Sequence, residues 1–223
     1  MFRVKLAAVV LGGVLAFMGF EEYRVSSGAT SEPESIDLSG LEAGQDVANT
    51  HIRIGLHSAV YAGVVYRWEG DEYSNDGSSP NARVKYAYYP IISRTHPFNV
   101  RWDALAEKYG SYDDVPETED FPELTTFSVL VKTERFKTVG TLPEGILDET
   151  ERSGLLIHRI DGLDEEEKIL VREGFPQVDF DKLLILEDGR KPSSAFMWMG
   201  MMAGGLLVSL TGVALLVARR QEG

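Results

Sequence analysis

The feature that most constrains this chain is an uncharged run of 24 residues near its C-terminus, Ala195 to Ala218. At ~1.5 Å of rise per residue, a helix of this length spans about 36 Å, which is more than the ~30 Å hydrocarbon core of a bilayer. Arg219 and Arg220 follow the run directly. The sequence therefore predicts a C-terminal transmembrane helix over residues 193–220.

A second uncharged run, Leu6 to Phe20, lies near the N-terminus behind Arg3 and Lys5. This run is short for a membrane crossing, and a basic start before a short apolar stretch is also typical of a cleaved signal peptide. No small-x-small cleavage site follows, because the next residues are Glu-Glu-Tyr-Arg. We expect an uncleaved anchor over residues 1–22, with a cleaved signal as the alternative.

Two crossings place both termini on one side of the membrane and the region between them on the other. The basic residues at the two ends of the chain favour cytoplasmic termini, whereas Arg24, Arg190 and Lys191 weigh against that orientation. On balance we expect a two-pass protein of a bacterial inner membrane. It would have a linker over residues 23–35 and a periplasmic domain over residues 36–192.

The region between the two helices is strongly acidic, with 18 Lys and Arg against 34 Asp and Glu, a net charge of −16. Such a surface repels nucleic acid phosphates and anionic lipid headgroups, so nucleic acid is not an expected partner. The chain contains no cysteine, so disulfides cannot report an oxidising compartment.

The acidic region combines strand patterns with two short helical patterns. Strands are predicted at residues 51–57, 60–68, 83–92, 126–133, 154–160 and 182–187, and helices at residues 99–109 and 164–171. The second and third strands are separated by a loop of turn-forming residues, which predicts an antiparallel hairpin. The pattern favours an α+β fold in which the domain is β-rich and antiparallel and resembles a partly open barrel.

Two histidines, His51 and His57, lie in the alternating stretch NTHIRIGLH at residues 49–57. Because side chains alternate between the faces of a strand, both histidines are expected on the polar, solvent-facing side. In a straight strand their side chains lie roughly 20 Å apart, too far for one zinc ion with Zn–N bonds of ~2 Å. We expect no metal and no cofactor at this stretch.

Two other polar candidates have less specific patterns. Asp71 and Asp76 lie near a glycine in the loop at residues 71–77, but the order of an EF-hand is missing, so a plain hairpin loop is favoured over calcium binding. His158, in the strand pattern LLIHRI, is the candidate for a catalytic residue, and a core histidine is the favoured alternative. No nucleotide-binding glycine loop occurs in the sequence.

Aromatic residues cluster around the third predicted strand and the first predicted helix of the acidic region. They indicate either a core or a patch that binds a partner, and we favour the core because tyrosines on strands usually pack inside. The cluster consists of Tyr86, Tyr88, Tyr89, Phe98 and Trp102.

Small residues recur four positions apart in both predicted membrane helices. Gly200 and Gly204 form a GxxxG motif in the second helix, and Ala8 and Gly12 form a similar pair in the first. Small residues let helix backbones approach closely, so we expect these positions to pack the two helices together or to dock another protein. The second helix contains no ionisable residue, which argues against transport or proton relay.

Three stretches carry a resemblance to other proteins: HIRIGLHSAVYAGVVYRWEGDEY at residues 51–73, VKYAYYPIIS at residues 84–93 and LILEDGRKPSS at residues 184–194. Together they resemble a set of uncharacterised two-helix membrane proteins of environmental bacteria, planctomycetes among them, and this resemblance implies no activity. The layout is also similar to that of Surf1-type cytochrome oxidase assembly factors and, without their RING, to that of GIDE-domain proteins.

These features predict a non-enzymatic, membrane-anchored accessory, assembly or scaffold protein. Its acidic domain would bind another membrane or periplasmic protein, or a second copy of the chain. One alternative is a membrane-bound hydrolase that uses His158 or the strand face that carries His51 and His57. Another is a ligand-sensing module with a pocket lined by Tyr86, Tyr88 and Trp102.

Overall fold

A computed structural model describes the chain over residues 2–70, 79–111, 114–116, 118–158 and 160–218. The chain divides into two compact units. The helix pair consists of the two chain ends, Met1–Ser31 and Lys191–Gly223, and the β domain is Glu32–Arg190.

The helix pair contains α1 (Phe2–Ser26) and α5 (Ala195–Ala218). Both helices are long and apolar enough to cross a membrane, with mean hydropathies of 1.8 and 2.0. Helix α1 extends to Ser26, beyond the predicted end at residue 22, and the Ser26 hydroxyl donates to the Glu22 carboxylate at 3.1 Å. The two apolar helices expected from the sequence are therefore present.

In the described part of the β domain, nine strands form one curled, half-barrel sheet. The strands are β1 (Glu34–Ile36), β2 (His51–Ile54), β3 (His57–Val60), β4 (Val65–Trp68), β5 (Val84–Ile92), β6 (Val129–Thr133), β7 (Ile146–Glu149), β8 (Arg152–His158) and β9 (Leu184–Asp188). The helices are α2 (Leu38–Glu42), α3 (Pro97–Tyr109) and α4 (Glu165–Gly174), with 3-10 turns at Val139–Thr141 and Ile160–Gly162.

Neighbouring strands follow the order β1-β2-β8-β9-β6-β5-β3-β7, and β4 pairs with β5. The predicted hairpin is confirmed, because β4 and β5 are antiparallel. The α+β class and the curled, partly open sheet agree with the expectation, but the sheet is mixed, because β1 pairs parallel with β2 and β6 pairs parallel with β9 while the other pairs are antiparallel. A crossover that contains β7, β8 and α4 separates β6 from β9, which gives the chain the length that a parallel pair requires.

Two bends shape the sheet at one corner. Gly55 and Leu56 separate β2 from β3, and Thr150 and Glu151 separate β7 from β8. Strand β2 pairs antiparallel with β8, and β3 pairs antiparallel with β7, so the two bent segments run alongside each other through both bends. The predicted single strand at residues 51–57 is thus two strands, and its second part contacts a different neighbour.

Apolar side chains pack on both faces of the sheet. Strand β5 shows the alternation, because Tyr89 and Ile91 belong to one hydrophobic cluster and Tyr88 and Ile92 to the other. The first cluster also includes side chains of α2, and the second includes side chains of α3 and α4. The sheet is therefore buried on both sides along its centre.

Local sequence signals set the ends of α3 and α4. Helix α3 begins after His96, whose Nδ1 accepts from the Phe98 N–H at 3.2 Å, and it ends at Gly110 with φ of 90°. Helix α4 begins with a capping box in which Asp164 accepts from the Glu167 N–H at 2.8 Å. Both helices lie within three residues of the predicted ranges.

Candidate functional site

A group of charged side chains lies at the corner of the sheet where β7 ends, and we call it the Glu149 cluster. Its members come from five separate positions in the fold and were not linked by the sequence analysis. They are His57 in β3, Tyr61 just after β3, Arg135 just after β6, Glu149 at the end of β7 and Arg152 at the start of β8.

The Glu149 carboxylate accepts hydrogen bonds on both of its oxygens. Oε1 accepts from the Tyr61 hydroxyl at 2.7 Å and from Arg135 Nη2 at 2.8 Å. Oε2 accepts from Arg152 Nε at 2.8 Å and from its Nη2 at 2.5 Å, which is the two-pronged geometry that suits a guanidinium. The Glu149 side chain is only 14% exposed, so these contacts form away from bulk water.

These contacts determine the ionisation of Glu149. Burial alone would raise the pKa of this carboxyl, but the neighbouring His57 ring and hydrogen bonds from Arg152, Arg135 and Tyr61 outweigh it and hold the pKa far below its usual range. The carboxylate is thus a weak base whose lone pairs are engaged. Such a group holds cations in place and is poorly suited to accept a proton from a substrate.

The cluster continues to β9 and to the aromatic core. Arg152 Nη1 lies 3.5 Å from Asp188 Oδ2, which also accepts from the Thr133 hydroxyl at 2.8 Å. The Arg135 guanidinium lies 4.6 Å from the ring centroid of Phe136 and 5.9 Å from that of Tyr89. Burial raises the pKa of Tyr89 to about 12, so this phenol stays neutral at physiological pH.

His57 occupies a position that differs from the prediction. The alternation predicts His57 on the solvent-facing side of the strand and Leu56 on the buried side. In the structure the His57 side chain is fully buried and Leu56 is 61% exposed. The bend at Gly55 and Leu56 shifts the alternation by one residue, and such a shift reverses the face of every following side chain. His51 is buried as well, at 3% exposure, so the prediction of a polar, solvent-facing histidine side is wrong.

The other two histidines and the candidate calcium ligands lie elsewhere. His96 is the N-cap of α3. His158 ends β8, and its side chain lies outside the described part of the structure, as do the whole of Asp71 and Asp76. Among the described residues, no group of three or more His, Asp or Glu side chains could hold a metal ion.

A second buried ion pair lies on the face of the sheet that α4 covers. Lys132 Nζ lies 2.5 Å from Glu167 Oε1 and 3.6 Å from Glu187 Oε1. Glu167 is only 6% exposed at its side chain, and it also accepts from the Asp164 N–H at 3.3 Å. This pair connects β6 to the first turn of α4, and we assign it a structural role.

The aromatic residues proposed as a possible partner patch are mostly buried. Tyr86, Tyr88 and Tyr89 are 4%, 0% and 0% exposed, and Phe98 is 8% exposed, whereas Trp102 is half-buried. The three tyrosines therefore belong to the hydrophobic core and do not form a surface patch for a partner. The core is also the alternative that the sequence favours. The strand β5 that carries them is covered on both faces, and this covering removes them from the surface.

Two of the cavities on the described part of the β domain are lined by other residues. One of about 420 Å³ is lined by charged side chains at the ends of β6 and β9, including Lys132, Glu134 and Arg190. The other, of about 280 Å³, is lined by residues 123–125, Phe127 and residues 174–178. Neither cavity is lined by the aromatic residues on which the ligand-sensing alternative depends.

The helix pair uses some of its small residues for close packing. A Cβ added at Gly12 would lie 2.5 Å from the backbone nitrogen of Ser209, and one added at Gly205 would meet the backbone of α1 at Ala16. The Ser209 hydroxyl also donates to the Val9 carbonyl at 3.3 Å. Ala8 is half-buried in the same helix. The backbones of α1 and α5 therefore touch around Gly12 and Gly205.

Gly200 and Gly204 are placed differently from Gly12. A Cβ added at either position would meet no described atom within 4 Å. The GxxxG motif of α5 thus faces away from α1, and Gly205, which the sequence analysis did not single out, takes its place in the contact.

No protein-family model, curated protein or solved structure matches this chain. Any functional assignment therefore rests on the geometry of the chain itself.

Proposed function

We propose that this protein is a non-enzymatic, membrane-anchored accessory, assembly or scaffold protein that binds another membrane or periplasmic protein. The observation that carries the proposal is the unused GxxxG face of α5. Gly200 and Gly204 are open although α1 and α5 already pack closely through Gly12 and Gly205. A small-residue face that remains free after the helix hairpin has formed is suited to a further transmembrane helix.

The character of the Glu149 cluster is structural and lends no support to a catalytic role. Its carboxylate is held by four hydrogen bonds from protein side chains, so the cluster braces the corner of the sheet. The hydrolase alternative gains no support from His51 or His57, because both are buried.

The proposed location is a bacterial inner membrane with both termini in the cytoplasm and the β domain in the periplasm. Two apolar helices that are long enough to cross a membrane support the two-pass arrangement. The basic residues at the chain ends favour the orientation.

Crosslinking within native membranes, followed by gentle extraction and mass spectrometry, tests the proposal. We expect a stoichiometric partner with at least one transmembrane helix of its own. The double variant Gly200→Leu/Gly204→Leu should lose this partner, because leucine side chains keep helix backbones apart. If the native protein comes out alone, the accessory function is contradicted.

Gly13→Leu is the matched control for this experiment. Gly13 lies in the other membrane helix, and a Cβ added there also meets no described atom within 4 Å. It should therefore keep the partner at the wild-type level. Equal loss in the control and in the double variant would show that the loss does not come from the GxxxG face.

A further inference from the structure

Strand β7 lies at one end of the sheet, where it pairs antiparallel with β3. No described strand pairs with its outer edge. Just before β7, the Gly145 carbonyl accepts from the Tyr61 N–H at 2.8 Å. Because hydrogen-bonded pairs alternate along an antiparallel ladder, this bond shows that Leu147 and Glu149 direct their backbone N–H and C=O groups toward β3.

The backbone groups of Ile146 and Asp148 therefore point away from the sheet. Among the described residues, none forms a hydrogen bond with the N–H or the carbonyl of either residue. Backbone N–H and C=O groups are strong hydrogen-bonding groups, and a free strand edge presents them as a template for another strand. The outer edge of β7 thus offers two donors and two acceptors in the spacing of a sheet.

The side chains of β7 distinguish this edge from the other two. Ile146 and Leu147 are 36% and 46% exposed, and as consecutive residues they lie on opposite faces of the strand. Strand β1 exposes only Glu34 and Ser35, and β4 has no exposed residue. A strand added beside β7 would therefore cover an apolar side chain on each face.

The charges around β7 favour a basic occupant. Glu144 precedes the strand, is exposed and forms no ion pair with a described residue. Asp148 and Glu151 are 53% and 56% exposed at their side chains. The region between the two membrane helices is also strongly acidic overall. A second copy of the chain would bring two such acidic regions together, whereas a segment rich in lysine or arginine is attracted.

We propose that the outer edge of β7 is a docking site for an extended, basic segment of another protein, which joins the sheet as an additional strand. Main-chain hydrogen bonds to Ile146 and Asp148 hold this segment, and the neighbouring carboxylates select its basic side chains. The site goes beyond the membrane contact proposed for α5. It lies within the β domain and does not use the GxxxG face, so either proposal can fail without the other.

Amide exchange measured by NMR on the full-length protein in uncharged detergent micelles tests this site. The probe is the capped peptide Lys-Val-Lys-Val-Lys-Val, added until about nine-tenths of the sites are filled. Exchange at Ile146 and Asp148 should then slow about tenfold, because it comes from the unfilled remainder. Leu147 and Glu149, which already bond to β3, should change less.

The capped peptide Glu-Val-Glu-Val-Glu-Val is the control for charge, and it should leave the exchange of both outward amides unchanged. If the lysine peptide slows neither amide, or if the two peptides slow them equally, the proposal is overturned. Protection of Ile146 and Asp148 that grows with protein concentration in the absence of peptide would identify a second copy as the occupant. That result would also overturn the assignment of a basic partner.

Two charge reversals separate the β7 edge from the overall acidity of the domain. Glu144→Lys replaces an unpaired acid beside β7 and should raise the Kd of the lysine peptide about threefold to tenfold. Glu173→Lys makes the same change of net charge at an exposed position in α4 and should keep the wild-type Kd. An equal rise in both variants would show that the peptide responds only to bulk charge and would contradict the site.

Discussion

The helix pair and the β domain are each stabilised by a different kind of internal interaction. In the helix pair, glycines bring two backbones into contact at Gly12 and Gly205. In the β domain, the corner of the sheet depends on Glu149 and the two arginines that pair with it, Arg135 and Arg152. The helix contact should therefore be sensitive to side-chain size and insensitive to pH, and the sheet corner should show the opposite behaviour.

The largest expected effect comes from Glu149→Ala, which leaves Arg135 and Arg152 without their common anion. Breaking a buried ion pair costs about 3–5 kcal/mol of unfolding free energy. Urea unfolding of the full-length protein in micelles, followed by tryptophan fluorescence, measures this loss. Glu151→Gln is the control, because its pair with Arg53 is about half exposed and such pairs contribute ~0.2–1 kcal/mol. Equal losses in the two variants would remove the special role of the cluster.

Acid should weaken the same interaction in the wild-type protein. Because the pKa of Glu149 is held far below its usual range, its contribution is complete above the unfolded-state pKa of ~4.3 and is lost as pH falls below that value. The unfolding midpoint of the wild type should therefore fall more steeply between pH 5 and pH 3 than that of Glu149→Ala. Parallel acid profiles would contradict this assignment.

Two tyrosine hydroxyls in the β domain should respond oppositely to removal. Tyr61→Phe deletes a donor to a charged carboxylate and should cost about 1.5–3 kcal/mol of unfolding free energy. The buried Tyr88 hydroxyl has no hydrogen-bond partner among the described residues, so Tyr88→Phe should be neutral or stabilising by up to ~1 kcal/mol. Urea unfolding of both variants tests the contrast, and a destabilised Tyr88→Phe would contradict it.

The helix pair should respond to size alone. Gly12→Leu or Gly205→Leu forces side chains against a backbone, and overpacking of this kind costs about 1–3 kcal/mol. Since the chain has no cysteine, cysteines placed at Val9 and Ser209 can report the contact through disulfide formation. Crosslinking should fall in the leucine variants and should be the same at pH 5 and pH 8. A pH-dependent yield, corrected for thiol reactivity, would undermine the comparison.

The elements that the sequence predicts well are those with local signals. Helix α3 has apolar residues at helical spacing and a glycine at its end, and α4 begins with acidic capping residues. Strand β5 has a long alternating pattern, and the structure places it within one residue of the prediction. In each case, neighbouring residues decide the conformation without help from distant parts of the chain.

The candidate site could not be predicted because its geometry is non-local. Glu149 lies 88 residues from Tyr61 in sequence and 14 from Arg135, and each residue alone resembles an ordinary surface charge. The bend at Gly55 and Leu56 also has no distinctive turn signature, yet it reverses the face on which His57 lies. Glu149 itself lies in β7. Three of the four residues of this strand are exposed, so the sequence lacks the apolar alternation by which a strand is predicted.

The central claim is that the GxxxG face of α5 contacts another protein within the membrane. A photo-crosslinker at Leu207 tests this claim. Leu207 follows Gly200 by seven residues and Gly204 by three, so it lies on the same face of the helix. Its side chain is 68% exposed. Val213, at 43% exposure, lies on a different side of the helix and is the control position. We predict a protein adduct from position 207 and none from position 213. Lipid adducts alone at both positions would contradict the account.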